Sequence, residues 1–135
     1  MMALAIFMNA YMAHGQNITF PHDGLDRQYL IHIPEELPES PALVLVLHGY
    51  GMDNSQMMGF GWTELADERG FVVAFPNGTI DKWDNHFWDV NYPIHKEIEI
   101  DDDGFLRELA IHLQKAHGFD SNKAFVTGFS NGGDM

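Results

Sequence analysis

Residues 124–133 of this chain read Ala-Phe-Val-Thr-Gly-Phe-Ser-Asn-Gly-Gly. The first four residues are typical of a short β-strand, and the pattern G-x-S-x-G follows directly, with Ser130 at its centre. A serine at such a strand-to-helix turn has a strained backbone, and the glycines at 128 and 132 carry no side chains that could collide. The turn lifts the Ser130 hydroxyl clear of the sheet, next to main-chain N–H groups that can stabilise an oxyanion. The pattern therefore predicts a nucleophile at Ser130, against the alternative of an incidental serine in a glycine-rich turn.

A second glycine-containing loop follows an earlier apolar run. Residues 42–47 are Ala-Leu-Val-Leu-Val-Leu, which is typical of a parallel strand covered on both faces, and His48-Gly49-Tyr50-Gly51 come directly after them. Because parallel strands end at the same edge of a sheet, this loop is expected close to Ser130. In G-x-S-x-G sites the second oxyanion donor comes from such a loop. The N–H groups of Tyr50 and Asn131 are therefore the predicted donors, with Gly49 allowing close approach; a plain strand-exit turn is the alternative.

The remaining elements alternate between strands and helices. Strands are predicted at residues 16–20, 28–33 and 71–75, and helices at 62–69 and 104–116. The longer helix is expected to be capped by Asp102 or Asp103 and to end at Gly118. A long aperiodic stretch covers residues 79–100. This alternation predicts an α/β fold with a mostly parallel sheet flanked by helices.

The pattern also predicts how the chain divides into domains. Residues 16–135 are expected to form the N-terminal part of one domain, truncated just after the Ser130 turn, because a parallel strand is normally followed by a crossover helix and further strands. Residues 1–15 contain a short apolar run. They fit either an export signal, cleaved near Ala13, or an apolar first segment of the mature fold.

Composition excludes several classes of function. Seven basic and twenty acidic side chains give a net charge of −13, which disfavours binding to nucleic acid and to anionic membranes. Without cysteine there is no disulfide, thiolate nucleophile or Cys-ligated zinc, and no apolar run is long enough to span a bilayer. The acidic run at residues 99–104 lacks the carboxylate that a calcium loop requires at its twelfth position, where Ala110 stands. No metal or cofactor and no membrane insertion are expected, and the oligomeric state is left open.

The aromatic residues of the aperiodic stretch allow two interpretations. Trp83 and Trp88 lie in a loop long enough to be functional, where they could contact a substrate. They could equally form a small hydrophobic cluster that anchors the loop.

Several short motifs occur in a particular order along the chain, and together they resemble a known family. They are His48-Gly49-Tyr50-Gly51, Gly61-Trp62, Leu65-Ala66-Asp67, Gly70-Phe71, Pro76-Asn77-Gly78, Asp101-Asp102 with Gly104-Phe105, and Val126 to Gly133. In this order they resemble the esterase family of polyhydroxybutyrate depolymerases and feruloyl or acetylxylan esterases, within the α/β-hydrolase fold. The similarity runs from about Tyr29 to Met135.

The resemblance implies roles for individual residues. It makes Ser130 the nucleophile and gives the oxyanion hole to Tyr50 and Asn131, in an extracellular or periplasmic serine esterase that needs no cofactor. Two departures from the family pattern are visible. Asp103 stands where the family usually has an apolar residue, and the cysteines often found near the tryptophans at 83 and 88 are absent.

The order of a catalytic triad raises a further point. In α/β-hydrolases the serine precedes the acid and the histidine, yet all eight histidines of this chain precede Ser130. The acid and the histidine are therefore expected beyond Met135, and these residues alone are expected to be inactive. The substrate predicted for the full-length protein is a carboxylic ester: a polyester, an acylated polysaccharide or a small aryl ester. Two alternatives are a triad-less domain that acts as a binding module and a serine peptidase of the prolyl-oligopeptidase type.

Overall fold

The computed structural model describes residues 15–135, so the predicted export segment lies outside the described residues except for its last position. Seven strands and four α-helices form in this part of the chain, together with one 3-10 turn at Pro93–His95. The strands are β1 (Ile18–His22), β2 (Leu25–His32), β3 (Leu43–Leu47), β4 (Val72–Pro76), β5 (Thr79–Ile80), β6 (His86–Phe87) and β7 (Ala124–Gly128). The helices are α1 (Asn54–Met58), α2 (Trp62–Arg69), α3 (Asp102–His117) and α4 (Asn131–Asp134).

Five strands form the central sheet, in the order β1-β2-β4-β3-β7. The first two pairings are antiparallel, whereas β3 is parallel to both β4 and β7. The register of β3 and β7 runs from Leu43 opposite Ala124 to Leu47 opposite Gly128. The two strands therefore end side by side, and the loop after β3 and the turn after β7 start from neighbouring positions.

The core lies on both faces of this sheet because side chains alternate along each strand. On β3, Leu43, Leu45 and Leu47 face α3 and pack with Phe105 and other α3 residues. Val46 faces the other way, into a cluster that includes Met57 of α1. The predicted α/β layering is thus present, although within residues 15–135 both faces of β7 are exposed, with Phe125 at 58% and Val126 at 61%.

The structure corrects the predicted cap of the long helix. Neither Asp102 nor Asp103 is the N-cap; the side chain of Asp101 accepts the hydrogen bond from the Gly104 N–H, at 3.0 Å. Asp102 is instead buried and pairs with Arg27 of β2 at 2.6 Å, which ties the helix to the sheet. The predicted C-terminal stop is confirmed, since Gly118 closes the helix in the left-handed conformation.

Two short elements were absent from the sequence-based prediction. Helix α1 begins after Asp53, whose side chain and that of Gln56 form a reciprocal capping box. The stretch predicted as aperiodic contains the two-stranded β5–β6 pair. Among the described residues, none of the helices has both the length and the apolar character needed to cross a membrane.

Candidate active site

Ser130 occupies a backbone conformation that few residues other than glycine adopt. Its φ is 51° and its ψ is −116°, in the two-residue connection between β7 and α4. Such a conformation costs about 1–3 kcal/mol and persists only where the surroundings impose it. Ser130 is exposed, and its hydroxyl forms no hydrogen bond with any other group of the described chain.

Close contacts across the turn explain the two glycines that flank the serine. A Cβ atom on Gly128 would lie 2.1 Å from the carbonyl oxygen of Gly132. A Cβ atom on Gly132 would lie 2.5 Å from the carbonyl oxygen of His48 and 2.7 Å from that of Leu47. The carbonyl oxygens are backbone atoms, which cannot move aside cheaply. Glycine at 128 therefore lets the turn close on itself, and glycine at 132 lets it pack against the end of β3.

The loop after β3 contacts the Ser130 turn directly. The Phe129 N–H donates to the carbonyl oxygen of Leu47 at 3.1 Å. A Cβ atom on Gly49 would lie 3.0 Å from Cδ1 of Phe129 and 3.3 Å from its carbonyl oxygen. The structure therefore brings together the two segments that the sequence predicted to meet, and Gly49 is at the contact between them.

The peptide between Gly49 and Tyr50 is held firmly at its carbonyl end. This oxygen lies 2.8 Å from Nδ1 of His48 and accepts a hydrogen bond from the Met52 N–H at 3.1 Å. Because the peptide is planar and trans, its N–H points the opposite way. Within residues 15–135 neither the Tyr50 N–H nor the Asn131 N–H donates to a protein acceptor, so neither main-chain donor is used by the fold itself.

His48 itself is buried and neutral. The Gly78 N–H donates to its Nε2 at 2.9 Å, so Nε2 is an acceptor and the ring proton resides on Nδ1, facing the Gly49 oxygen. Burial lowers the pKa of His48 to about 4. Both ring nitrogens are occupied in holding the loop, so His48 is not a candidate for a general base.

The depressed pKa of His48 predicts a specific loss of stability in acid. The unfolded chain binds this proton near pH 6.5 and the folded chain only near pH 4, so the stability that His48 contributes is complete above pH 6.5 and declines as the pH falls towards 4. Between pH 7 and pH 4.5 this amounts to about 2 kcal/mol of the free energy of unfolding. Urea titrations of the wild type and His48→Gln at both pH values measure the difference. An equal acid loss in both proteins would contradict the neutral, buried assignment.

The side chain of Tyr50 is fixed separately from its main chain. Its hydroxyl donates to Oδ2 of Asp81 at 2.7 Å and accepts from the Asn85 side chain at 3.1 Å. Burial alone would raise the pKa of Asp81, but hydrogen bonds from Tyr50, His95 and two main-chain amides lower it to about 2. Asp81 is therefore a buried carboxylate that anchors Tyr50. No motif around Asp81 indicates this role in the sequence; only its contact with Tyr50 in the structure shows it.

The structure overturns one of the two predicted substrate contacts. Trp88 is 0% exposed and packs in the core, so a substrate does not reach it. Trp88 instead contacts the loop after β3 from the protein interior: its indole N–H donates to the carbonyl oxygen of His48, at 2.9 Å. Trp83 is 52% exposed, with its ring 4.4 Å from the ammonium of Lys82, and remains a predicted contact.

The chain is similar to known proteins in sequence and in structure. No family model matches the chain. It is 33% identical to the poly(3-hydroxybutyrate) depolymerase of Ralstonia pickettii, in a match that covers 76% of this chain and 23% of that protein. It is 29% identical to the bifunctional acetylxylan esterase/xylanase XynS20E of Neocallimastix patriciarum, over 82% of this chain and 15% of the relative. The feruloyl esterase B of Thermothelomyces thermophilus is also 29% identical, over 80% and 37%.

Solved structures agree on the fold. The acetyl xylan esterase from Aspergillus awamori superposes with a TM-score of 0.71 at 22% identity, covering 87% of this chain and 43% of that one. The structure of pOPH superposes with a TM-score of 0.66 at 19% identity. The predicted α/β-hydrolase fold and the predicted resemblance to depolymerases and esterases are thus confirmed over most of the chain. The chain spans only 15–37% of the length of the three relatives described here.

Proposed function

We propose that this chain supplies the nucleophile and the oxyanion hole of a carboxylic ester hydrolase. Its relatives named as depolymerases and esterases support the reaction class. Ser130 supports the mechanism, because an exposed hydroxyl on a strained turn stands beside a loop with a free main-chain donor. That juxtaposition is the observation that carries the proposal.

In the proposed reaction, Oγ of Ser130 attacks the carbonyl carbon of the ester while its proton passes to a histidine. The carbonyl oxygen becomes an oxyanion that accepts hydrogen bonds from the N–H groups of Tyr50 and Asn131. The C–O bond to the alcohol then breaks, and the alcohol leaves with the proton from the histidine. Water then attacks the acyl-enzyme and gives a proton to the histidine. The bond between the acyl carbon and Oγ breaks, the carboxylic acid leaves, and the histidine returns the proton to Ser130.

The histidine and the acid of this triad are proposed to lie beyond residue 135 of the full-length protein. Two buried histidines near the site already have other partners: His48 bonds Gly78 and Gly49, and His95 lies 3.1 Å from Asp81. Asp134, the acidic residue that follows the serine, accepts a hydrogen bond from Tyr92. These contacts leave none of the three placed to serve Ser130.

Export to the periplasm or the extracellular space is part of the proposal. It is supported by the short apolar run at residues 1–8, which has the character of a signal hydrophobic region. The ester itself is proposed to be a polyester, an acylated polysaccharide or a small aryl ester.

The test is active-site labelling of the full-length protein with a fluorophosphonate, combined with peptide mapping. We expect one phosphonyl group, on Ser130, and loss of p-nitrophenyl ester turnover in proportion to labelling. A folded protein that is neither labelled nor active on esters would overturn the proposal. Faster turnover of peptide anilides than of esters would favour the peptidase alternative, since that class shares the G-x-S-x-G pattern.

A further inference from the structure

Trp88 is bonded to both segments that supply the proposed oxyanion donors. Its indole N–H donates to the carbonyl oxygen of His48, at the start of the loop that contains Tyr50. Its main-chain N–H donates to Oδ1 of Asn131 at 2.8 Å, and its main-chain carbonyl accepts from Nδ2 of Asn131 at 3.1 Å. One residue of the stretch after β6 therefore connects two segments that lie about 40 positions away from it on either side.

The Asn131 side chain has an unusual task. It is 0% exposed, and its amide matches both main-chain polar groups of Trp88, as a neighbouring strand would. Because both polar atoms of this side chain are bonded to Trp88, Asn131 is fixed in place, and its main-chain N–H is the proposed donor. A buried amide of this kind stays satisfied only in one orientation, so it defines the position of the Ser130–Asn131 peptide.

The contact with His48 fixes the other segment. The register of β3 with β7 ends at Leu47 opposite Gly128, and among residues 15–135 the Phe129 N–H to Leu47 carbonyl bond is the last main-chain hydrogen bond between the two segments. The indole ring of Trp88 lies under the imidazole of His48, with centroids 5.0 Å apart, and its N–H takes the His48 carbonyl. The loop therefore leaves the sheet in a direction set by Trp88, before the Gly49–Tyr50 peptide is reached.

We propose that Trp88 is a positioning residue that sets the separation of the Tyr50 and Asn131 amides. The inference rests on the proposed function, because only a hydrolase of this kind uses the two amides together. Because Trp88 is buried and touches no substrate, its replacement should affect the reaction only through the hydrogen bonds that the two amides donate to the oxyanion. A displacement of about 1 Å in a catalytic group can lower the rate about a hundredfold.

The experiment compares Trp88→Phe with Trp62→Phe in the full-length protein. Phenylalanine at 88 keeps an aromatic ring but removes the indole N–H, whereas no hydrogen bond is formed by the Trp62 side chain among residues 15–135. Turnover of a p-nitrophenyl ester and inhibition by an aryl trifluoromethyl ketone, which forms an oxyanion on the serine, are both measured. For Trp88→Phe we expect kcat to fall about 10- to 100-fold with KM within twofold, and the inhibition constant to rise by the same factor as kcat/KM falls. The Trp62 variant should match the wild type.

The outcomes separate this inference from the proposed function. A wild type without ester turnover overturns the proposed function and removes the basis of the inference. An active wild type with equal kinetics in both variants overturns the inference alone. A fall in kcat without a change in the ketone's inhibition constant also overturns the inference. It would show a general loss of packing, because displaced amides would weaken binding of the ketone's oxyanion as well. If Trp88→Phe does not fold, Asn131→Ala decides in the same assay, since it keeps the main-chain donor and removes both hydrogen bonds to Trp88. Tyr92→Phe is its control, because the Asn131 side chain also contacts the Tyr92 hydroxyl.

Discussion

Replacing Ser130 with alanine is expected to lower kcat of the full-length protein at least about 10⁴-fold, the loss typical of a missing serine nucleophile. The reason is that no other group of the turn can form the acyl-enzyme: the residues on either side are Phe129 and Asn131, and glycines follow at 132 and 133. Folding should be preserved, because the hydroxyl bonds no group of the described chain and alanine adds no atoms. Initial rates on a p-nitrophenyl ester and a thermal melt measure the two effects.

Ser121→Ala is the matched control. Ser121 is also exposed but lies in the turn after α3, and its replacement should leave kcat and the melting temperature unchanged. The Ser130 assignment would be wrong if the Ser130→Ala protein still turned over ester at a rate comparable to the wild type, or still took up the fluorophosphonate.

Gly132→Ala should have the second-largest effect on activity. The new Cβ would lie 2.5 Å from the His48 carbonyl oxygen and 2.7 Å from that of Leu47, so the turn after β7 must move away from the end of β3. This movement separates the Asn131 amide from the Tyr50 amide, and a shift of about 1 Å predicts a loss of about a hundredfold in kcat/KM. The melting temperature should fall as well, since overpacking against backbone is destabilising. Steady-state kinetics with a thermal melt measures both.

Gly133→Ala controls for the position in α4. There the nearest atom to a new Cβ is the Gly128 carbonyl oxygen, at 3.2 Å, which a shift of a few tenths of an ångström accommodates. This variant should lose clearly less activity and stability than Gly132→Ala. Equal losses in the two variants would show that the contact with the end of β3 does not control the site.

Elements with a strong local signal were predictable from the sequence. Helix α2 begins at Trp62 and ends at Arg69 as predicted, because Gly70 stops it, and β3 and β4 begin and end within one residue of their apolar runs. The contact between the Ser130 turn and the Gly49 loop was also predictable, because it follows from the rule that parallel strands end at one edge.

The remaining features depend on contacts between distant residues. Three consecutive acids at 101–103 are equal candidates for a helix cap, and only the position of Arg27 decides that the middle one is buried. The sequence leaves Trp88 open between a substrate contact and a cluster that anchors the loop, because the hydrogen-bond partners that decide for burial, His48 and Asn131, are far away in the sequence. Helix α1 is different: the Asp53 and Gln56 spacing of its capping box is a local signal that the sequence itself contains.

The double hydrogen bond to the Gly49 carbonyl has a consequence for regulation. Rotating this peptide so that its oxygen rather than its N–H faced Ser130 would break both contacts, each of which is worth about 1 kcal/mol. The imidazole that makes one of them is enclosed and would be left with an unmet donor. An inactive resting form, awaiting an effector to flip the amide into place, is thus disfavoured, and the proposed hydrolase should be competent as soon as it folds.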